Sequence, residues 1–187
     1  MKTRHCPACA GSLHKTDLAE HLKGQRCSGC NGVSITLGNY LHYLTKSPTV
    51  DEGLQIDASE ISMDEDTKSA LVCSCGQIMT KYRITHDSDR KLDYCTSCQS
   101  IWMDAGEWEY LKSNNMHRSI NKIFTDGWQR NIRFENTKQV LQQNYRQQLG
   151  EQDYQRIRDV KEWIEKHTEK NVLMSYLNAS DPYSAEK

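Results

Sequence analysis

Eight cysteines in close pairs, an internal repeat offset by 68 residues and a low apolar content together predict a small α+β fold stabilised by metal. The expected architecture is two four-cysteine units, each a β-hairpin with a short helix, followed by an α-helical C-terminal region. The boundaries read as 1–48 for the first unit, 49–70 for an acidic linker, 71–113 for the second unit and 114–187 for the helices. With 36% hydrophobic residues and only two Phe in 187 residues, one large core is not expected. Small modules then need something other than apolar burial to hold them together.

The first unit opens on Cys6-Pro7-Ala8-Cys9, with Cys27-Ser28-Gly29-Cys30 further on. A two-residue turn between thiolates lets both sulfurs converge on one ion, and two such turns joined by a hairpin supply four ligands at about 2.3 Å. The intervening residues accommodate two short strands, with a turn expected near Lys23-Gly24-Gln25. Val33, Ile35 and Leu37 then alternate as a strand does, and Asn39 to Leu44 read as one or two helical turns before Ser47-Pro48. With four thiols at hand, His42 reads as a surface residue.

Residues 51–70 carry one basic side chain against seven acidic ones and read as a solvated linker, with a helical turn from Ser59 onward. The second unit begins at Cys73-Ser74-Cys75, a turn one residue shorter than its counterpart, so this half-site is expected to be strained or labile. Gln77–Ile84 and Lys91–Tyr94 read as a hairpin whose tip, His86 to Arg90, leaves His86 exposed. Cys95-Thr96-Ser97-Cys98 completes the unit. A shift of 68 residues aligns Cys27, Cys30, Val33, Ile35, Gly38 and Tyr40 with Cys95, Cys98, Ile101, Met103, Gly106 and Trp108 without a gap.

Cys6-Pro7-Ala8-Cys9 with Cys27 and Cys30, and more closely Cys95 and Cys98 followed by Ile101-Trp102-Met103-Asp104-Ala105-Gly106-Glu107, resemble the transcription factor zinc-finger family of prokaryotic zinc ribbons. That family is named for its likeness to the zinc ribbon of transcription factor IIB. The resemblance covers residues 5–44 and 72–112. It implies two four-cysteine zinc ribbons with two Zn2+ per chain, one held by Cys6, Cys9, Cys27 and Cys30, the other by Cys73, Cys75, Cys95 and Cys98. The thiols alone leave iron of the rubredoxin type as an alternative. Trp102 is expected to cover the metal knuckle and Trp108 to pack the following helix onto the ribbon, while Asp104 and Glu107 read as a capping box rather than as acid–base groups.

Beyond Gly106 a helix is expected to Ser113, an apolar turn at Ile120, Ile123 and Phe124, and a long polar helix from Gly127 to Leu149 that Gly150 ends or interrupts. Further helical spacings run through Tyr154, Ile157, Val160 and Ile164, then Val172, Leu173, Tyr176 and Leu177, before a loose tail at Asp181-Pro182. Their stripes are narrow, so these helices must pack on each other, on the ribbons or on a second chain.

The start of the chain shows no apolar leader and no run of about 20 apolar residues occurs, so a cytoplasmic protein with no membrane contact is expected, and metal is favoured over disulfides. Net charge is -1, and only residues 1–50, at +4, are locally basic. No Ser-His-Asp order, phosphate loop or convergent carboxylate pair points to an enzyme or to a small-molecule substrate. The functional expectation is a non-catalytic zinc-binding adaptor or regulator contacting a protein, or alternatively a nucleic acid, in a transcription-related setting. A redox- or zinc-responsive regulator using the Cys73/Cys75 half-site is the alternative from another class, and homo-oligomerisation through the C-terminal helices is open beside it.

Overall fold

The computed structural model describes residues 5–47 and 67–184. Most of the acidic stretch, including the turn expected from Ser59, therefore lies outside the described residues. The fold is mixed α+β: strands β1 (Leu13–Ala19), β2 (Leu22–Cys27) and β3 (Val33–Thr36) lead into helix α1 (Leu37–Lys46). The second repeat follows with β4 (Thr80–Arg83), β5 (Lys91–Tyr94), β6 (Ser100–Met103) and α2 (Glu107–Ser113). Then come α3 (Ile120–Ile123), α4 (Asp126–Leu149), α5 (Glu151–Lys166) and α6 (Lys170–Asn178). Two compact units result, Met1–Asn136 and Thr137–Lys187.

Within the first unit all six strands form one antiparallel sheet in the order β1-β2-β3-β6-β5-β4. Each repeat contributes a hairpin and a third strand, and the two halves join where β3 pairs with β6. Left alone, each of those strands would present a row of unpaired N–H and C=O groups, and pairing them satisfies both edges at once. The register is Val33 opposite Met103, Ser34 opposite Trp102, Ile35 opposite Ile101 and Thr36 opposite Ser100. Because Trp102 is Ser34 displaced by the repeat length, a local twofold axis passes between these two residues.

Alternation along the strands sends Val33, Ile35, Ile101 and Met103 to the face covered by helices. There they meet Tyr40 and Tyr43 of α1, Trp108 and Leu111 of α2, and Ile120 and Ile123 of α3 in one buried cluster. Each such side chain contributes about 1.5–3 kcal/mol on burial. Tyr40 ties the layer together, its hydroxyl donating to the His117 carbonyl and accepting from the Ile120 N–H, both at 3.0 Å. Helix α1 starts where Thr36 Oγ1 accepts the Asn39 N–H, and it ends at Ser47, which is extended as a residue before proline tends to be.

The first hairpin turns at Glu20 and His21, with His21 left-handed at φ 66. The expected turn residues Lys23, Gly24 and Gln25 instead lie within β2. Gly24 is there for space: a Cβ would sit 2.7 Å from Leu18 Cδ1 and 2.8 Å from the Ser34 carbonyl oxygen. In the second hairpin, β4 is shorter than the expected Gln77–Ile84 strand, with Ile78 reduced to a single bridge to Val72. His42 and His86 are exposed. Among the described residues no helix is long and apolar enough to cross a membrane.

Candidate metal centres

Four tight turns carry the eight thiols, and three of them are built alike. The N–H of the first cysteine donates to the carbonyl five residues on, from Cys6 to Gly11, Cys27 to Gly32 and Cys95 to Ser100. The residue just after the second cysteine is left-handed: Ala10 at φ 60, Asn31 at φ 58 and Gln99 at φ 58. This reversal swings the chain back so that the amides inside the turn face the sulfurs. The shorter Cys73-Ser74-Cys75 turn keeps the same plan with one residue fewer, closing from Cys73 N–H to the Gln77 carbonyl and reversing at Gly76, φ 89.

The sheet brings these turns together in pairs. Cys6, Cys9, Cys27 and Cys30 form one group and Cys73, Cys75, Cys95 and Cys98 the other, with all four sulfurs of each group within 4.8 Å of one another. Sulfur separations are 3.5 Å for Cys6–Cys30, 3.4 Å for Cys9–Cys27, 3.4 Å for Cys73–Cys98 and 3.5 Å for Cys75–Cys95. Four thiolates at about 2.3 Å from a tetrahedral ion stand about 3.8 Å apart, so either group fits one ion with little movement. In the first, Cys6 Sγ accepts the Cys9 N–H at 3.4 Å and Cys27 Sγ the Gly29 N–H at 3.3 Å. A Cβ on Gly11 would lie 3.1 Å from Cys27 Sγ and 3.2 Å from Cys9 Sγ, so glycine keeps this cradle clear.

Thiol acidity divides each group. Burial holds Cys6, Cys30 and Cys73 above the ordinary thiol value. Partial desolvation of its sulfur, with the Cys73 thiol, pushes Cys98 up to about 12 although the residue as a whole is exposed. Burial also opposes ionisation of Cys27, but the amides of Cys30 and Gly29 and the thiols of Cys9 and Cys6 outweigh it and bring Cys27 down to about 7. Cys95 reaches about 7 likewise, the Cys98 amide and the Cys75 and Cys98 thiols overcoming burial. One readily ionised sulfur per group gives an incoming cation a first anionic foothold.

Between the two groups lies Trp102, 1% exposed and clustered with Cys6, Cys27, Cys73, Cys95, Leu71 and Met79. Its ring comes from the second repeat yet lies over Gly32, at the end of the first repeat's turn, where a Cβ would meet Trp102 Cζ2 at 2.2 Å. Asp104 Oδ1 accepts the indole N–H at 2.8 Å and the Thr67 hydroxyl at 3.0 Å, while Oδ2 takes the Thr67 N–H at 2.7 Å. Asp104 is therefore not the cap that the capping-box pattern predicts. Only the reverse half of that box forms, Glu107 Oε2 accepting the Asp104 N–H at 2.8 Å, and α2 starts from left-handed Gly106. The carboxylate goes to Trp102 because a buried indole N–H needs a partner, whereas a helix terminus can be solvated. Trp108 packs α2 onto the sheet and meets Tyr43 and His117 edge-on.

One row crosses the whole sheet on the face of the cysteine groups: Lys15, Gln25, Ser34, Trp102, Asp93 and Lys81. In the second repeat the row is filled by the indole and by Asp93, 1% exposed, paired with Lys81 at 2.8 Å. The first repeat places Gln25 and Ser34 at the corresponding positions. A depression of about 420 Å³ opens there, lined by Lys15, Lys23, Gln25, Ser34, Thr36 and Asn39 among others. The repeat alignment contained the signal for this difference, since Ser34 aligns with Trp102, but its consequence appears only when the strands pair. Ala10, Asn31, Gln99 and Gly32 are site residues that sequence reasoning missed. Neither a family model, nor a curated protein, nor a solved structure matches this chain.

Proposed function

We propose that this chain is a non-catalytic adaptor or regulator holding two Zn2+ ions in four-thiolate zinc ribbons and contacting a protein partner, or alternatively a nucleic acid, in a transcription-related role. The observation that carries this reading is the closure of both cysteine groups. Four sulfurs per ion fill a tetrahedral shell, which is the arrangement of structural zinc and leaves no coordination position for water or substrate. Thiolate donors select zinc or iron over hard cations, and zinc, which has no redox chemistry, suits a scaffold. The knuckle–hairpin–knuckle order supports kinship with the transcription factor zinc-finger family, and free thiols in such number suit a reducing, cytoplasmic setting.

A net charge of -1 favours a protein over nonspecific nucleic-acid binding. The polar depression bearing Lys15 and Lys23 is the candidate contact face, because the equivalent surface of the second repeat is already filled. The test has two parts. Elemental analysis of the purified, colourless protein should give two zinc per chain, and iron or a visible thiolate-to-iron absorption would overturn the assignment. Capture of the tagged chain from its native cell after nuclease treatment should retain a protein partner, and loss of all bound material with nuclease would favour nucleic acid.

The second reading, a zinc- or redox-responsive regulator, is favoured by the Cys73/Cys75 half-site. Its group leaves both Cys75 and Cys98 exposed, whereas the first exposes Cys9 alone.

A further inference from the structure

Among the described residues of the unit Thr137–Lys187 only Tyr154 and Ile164 are buried. Tyr154 and Ile164 fall to 6% and 7% exposure, whereas Tyr145, Leu149, Ile157, Val160 and Trp163 keep between 39% and 55% of theirs. Most helical stability in proteins comes from packing an apolar face, and these helices pack little of theirs. Between α4 and α5 a cavity of about 620 Å³ is floored by Tyr145, Leu149, Tyr154 and Ile157. Its rim changes sign along α5, with Arg158 and Lys161 towards one end and Glu162 and Glu165 towards the other.

We propose that this helical arm is an interface with a second copy of the same chain, the two arms packing antiparallel about a twofold axis that crosses α5 near Lys161 and Glu162. Charge supports that occupant. Residues 137–187 hold eight basic and eight acidic side chains, so neither a polyanion nor a strongly charged peptide is called for. A rim that runs from basic to acidic over about 10 Å is complementary to its own inverted copy, because a twofold interface sets residue i against residue j and j against i. Within one chain Glu162 pairs with Lys166, Glu165 with Lys170, and Arg158 lies over the Tyr154 ring. These are exposed contacts that exchange partners easily.

Area supports it too. In the groove itself Tyr145, Leu149 and Ile157 each keep about half of their surface exposed, leaving apolar area for a second copy to bury.

Sedimentation of the full zinc-loaded chain from about 1 to about 100 µM covers micromolar dissociation constants. The expected species is a dimer of the 21.6 kDa chain. The double variants Arg158→Glu/Lys161→Glu and Glu162→Lys/Glu165→Lys should each weaken self-association about tenfold or more, and an equimolar mixture of the two should restore it. Each lies on the exposed rim, so unchanged helical circular dichroism and zinc content show that folding is intact. Ile157→Asp should abolish the dimer. A monomer throughout the range would overturn the proposal, as would charge variants that associate as tightly as the parent. A monomeric chain whose arm is covered only when a different protein is added would overturn it equally.

Discussion

Ser34 and Trp102 stand directly opposite one another at the centre of the sheet, and they occupy the same position of the repeat. In a symmetric pairing of identical units this position would meet itself, and two indoles would compete for the space over the knuckles. Fusion of the copies into one chain lets the position differ. One copy supplies the ring that fills the cluster between the metal centres, and the other stays small, leaving the face beside it open.

Substitution at this junction should therefore be felt at both centres. Trp102→Ala removes a fully buried ring and its hydrogen bond to Asp104, and should cost about 3–5 kcal/mol. Gly32→Ala forces a methyl into that ring and should cost about 1–3 kcal/mol as overpacking. The two effects should be far from additive, since the smaller side chain at 102 makes room for the methyl at 32. Denaturant midpoints at fixed free zinc check this; additive losses would mean that the ring and the glycine are not in contact.

The left-handed residues after each second cysteine give a purely backbone prediction. Gly76 faces open space, with nothing within 4 Å of where its Cβ would be. Gly76→Ala therefore tests φ alone and should destabilise by about 1–2 kcal/mol. The reciprocal change at the matching position, Gln99→Gly at φ 58, should stabilise by about 0.5–1 kcal/mol. Opposite signs at equivalent positions are the discriminating outcome in thermal unfolding.

Zinc affinity should fall with decreasing pH, with a slope set by the thiols. Cys6, Cys30, Cys73 and Cys98 all lie above their ordinary value and keep their protons at neutral pH, so each centre releases at least two protons on binding. Cys27 and Cys95 lie at about 7, below the usual 9.0, and each adds a further proton to its centre's release as pH drops through 7. The logarithm of the apparent affinity should thus change by about two or more units per pH unit near pH 8 and more steeply below 7. For the metal-free fold the sign differs by group. The stabilisation tied to Cys27 and Cys95 is present above pH 9 and lost as pH falls through 7, whereas that tied to the raised thiols is present below 9 and lost as pH rises. Competition titrations with a chromophoric chelator between pH 6 and pH 8.5 measure the slope.

Much of this site was legible because its determinants are local. Ligand spacing, the alternation of Val33 and Ile35, and the turn residues between Thr85 and Lys91 each act within a few positions. What local pattern cannot carry is competition between partners. Asp104 has the sequence context of a cap, but the indole two residues earlier claims its carboxylate. Gly24 looks like a turn residue, and it is instead the gap through which Leu18 reaches Ile35. The pairing of β3 with β6 belongs to the same class, since nothing near Ser34 says that Trp102 will face it.

The two centres should differ in how firmly they hold metal. In the first, Cys6 and Cys27 each accept a backbone N–H. In the second, the amides of Cys75, Ser97 and Cys98 likewise favour thiolate, but both Cys75 and Cys98 are exposed, whereas the first group exposes Cys9 alone. Solvent and oxidant reach two of its four thiols instead of one, so the second centre should lose its ion faster to a chelator or to dilute peroxide. Native mass spectrometry follows the loss, and alkylation mapping identifies its origin: Cys75 and Cys98 should become reactive together with departure of the first ion. Inserting Gly between Ser74 and Cys75 restores the two-residue turn and should bring the two rates together. Alkylation that begins at Cys9 and Cys30 instead would place the weaker centre in the first repeat and remove the reason for reading Cys73-Ser74-Cys75 as a responsive half-site.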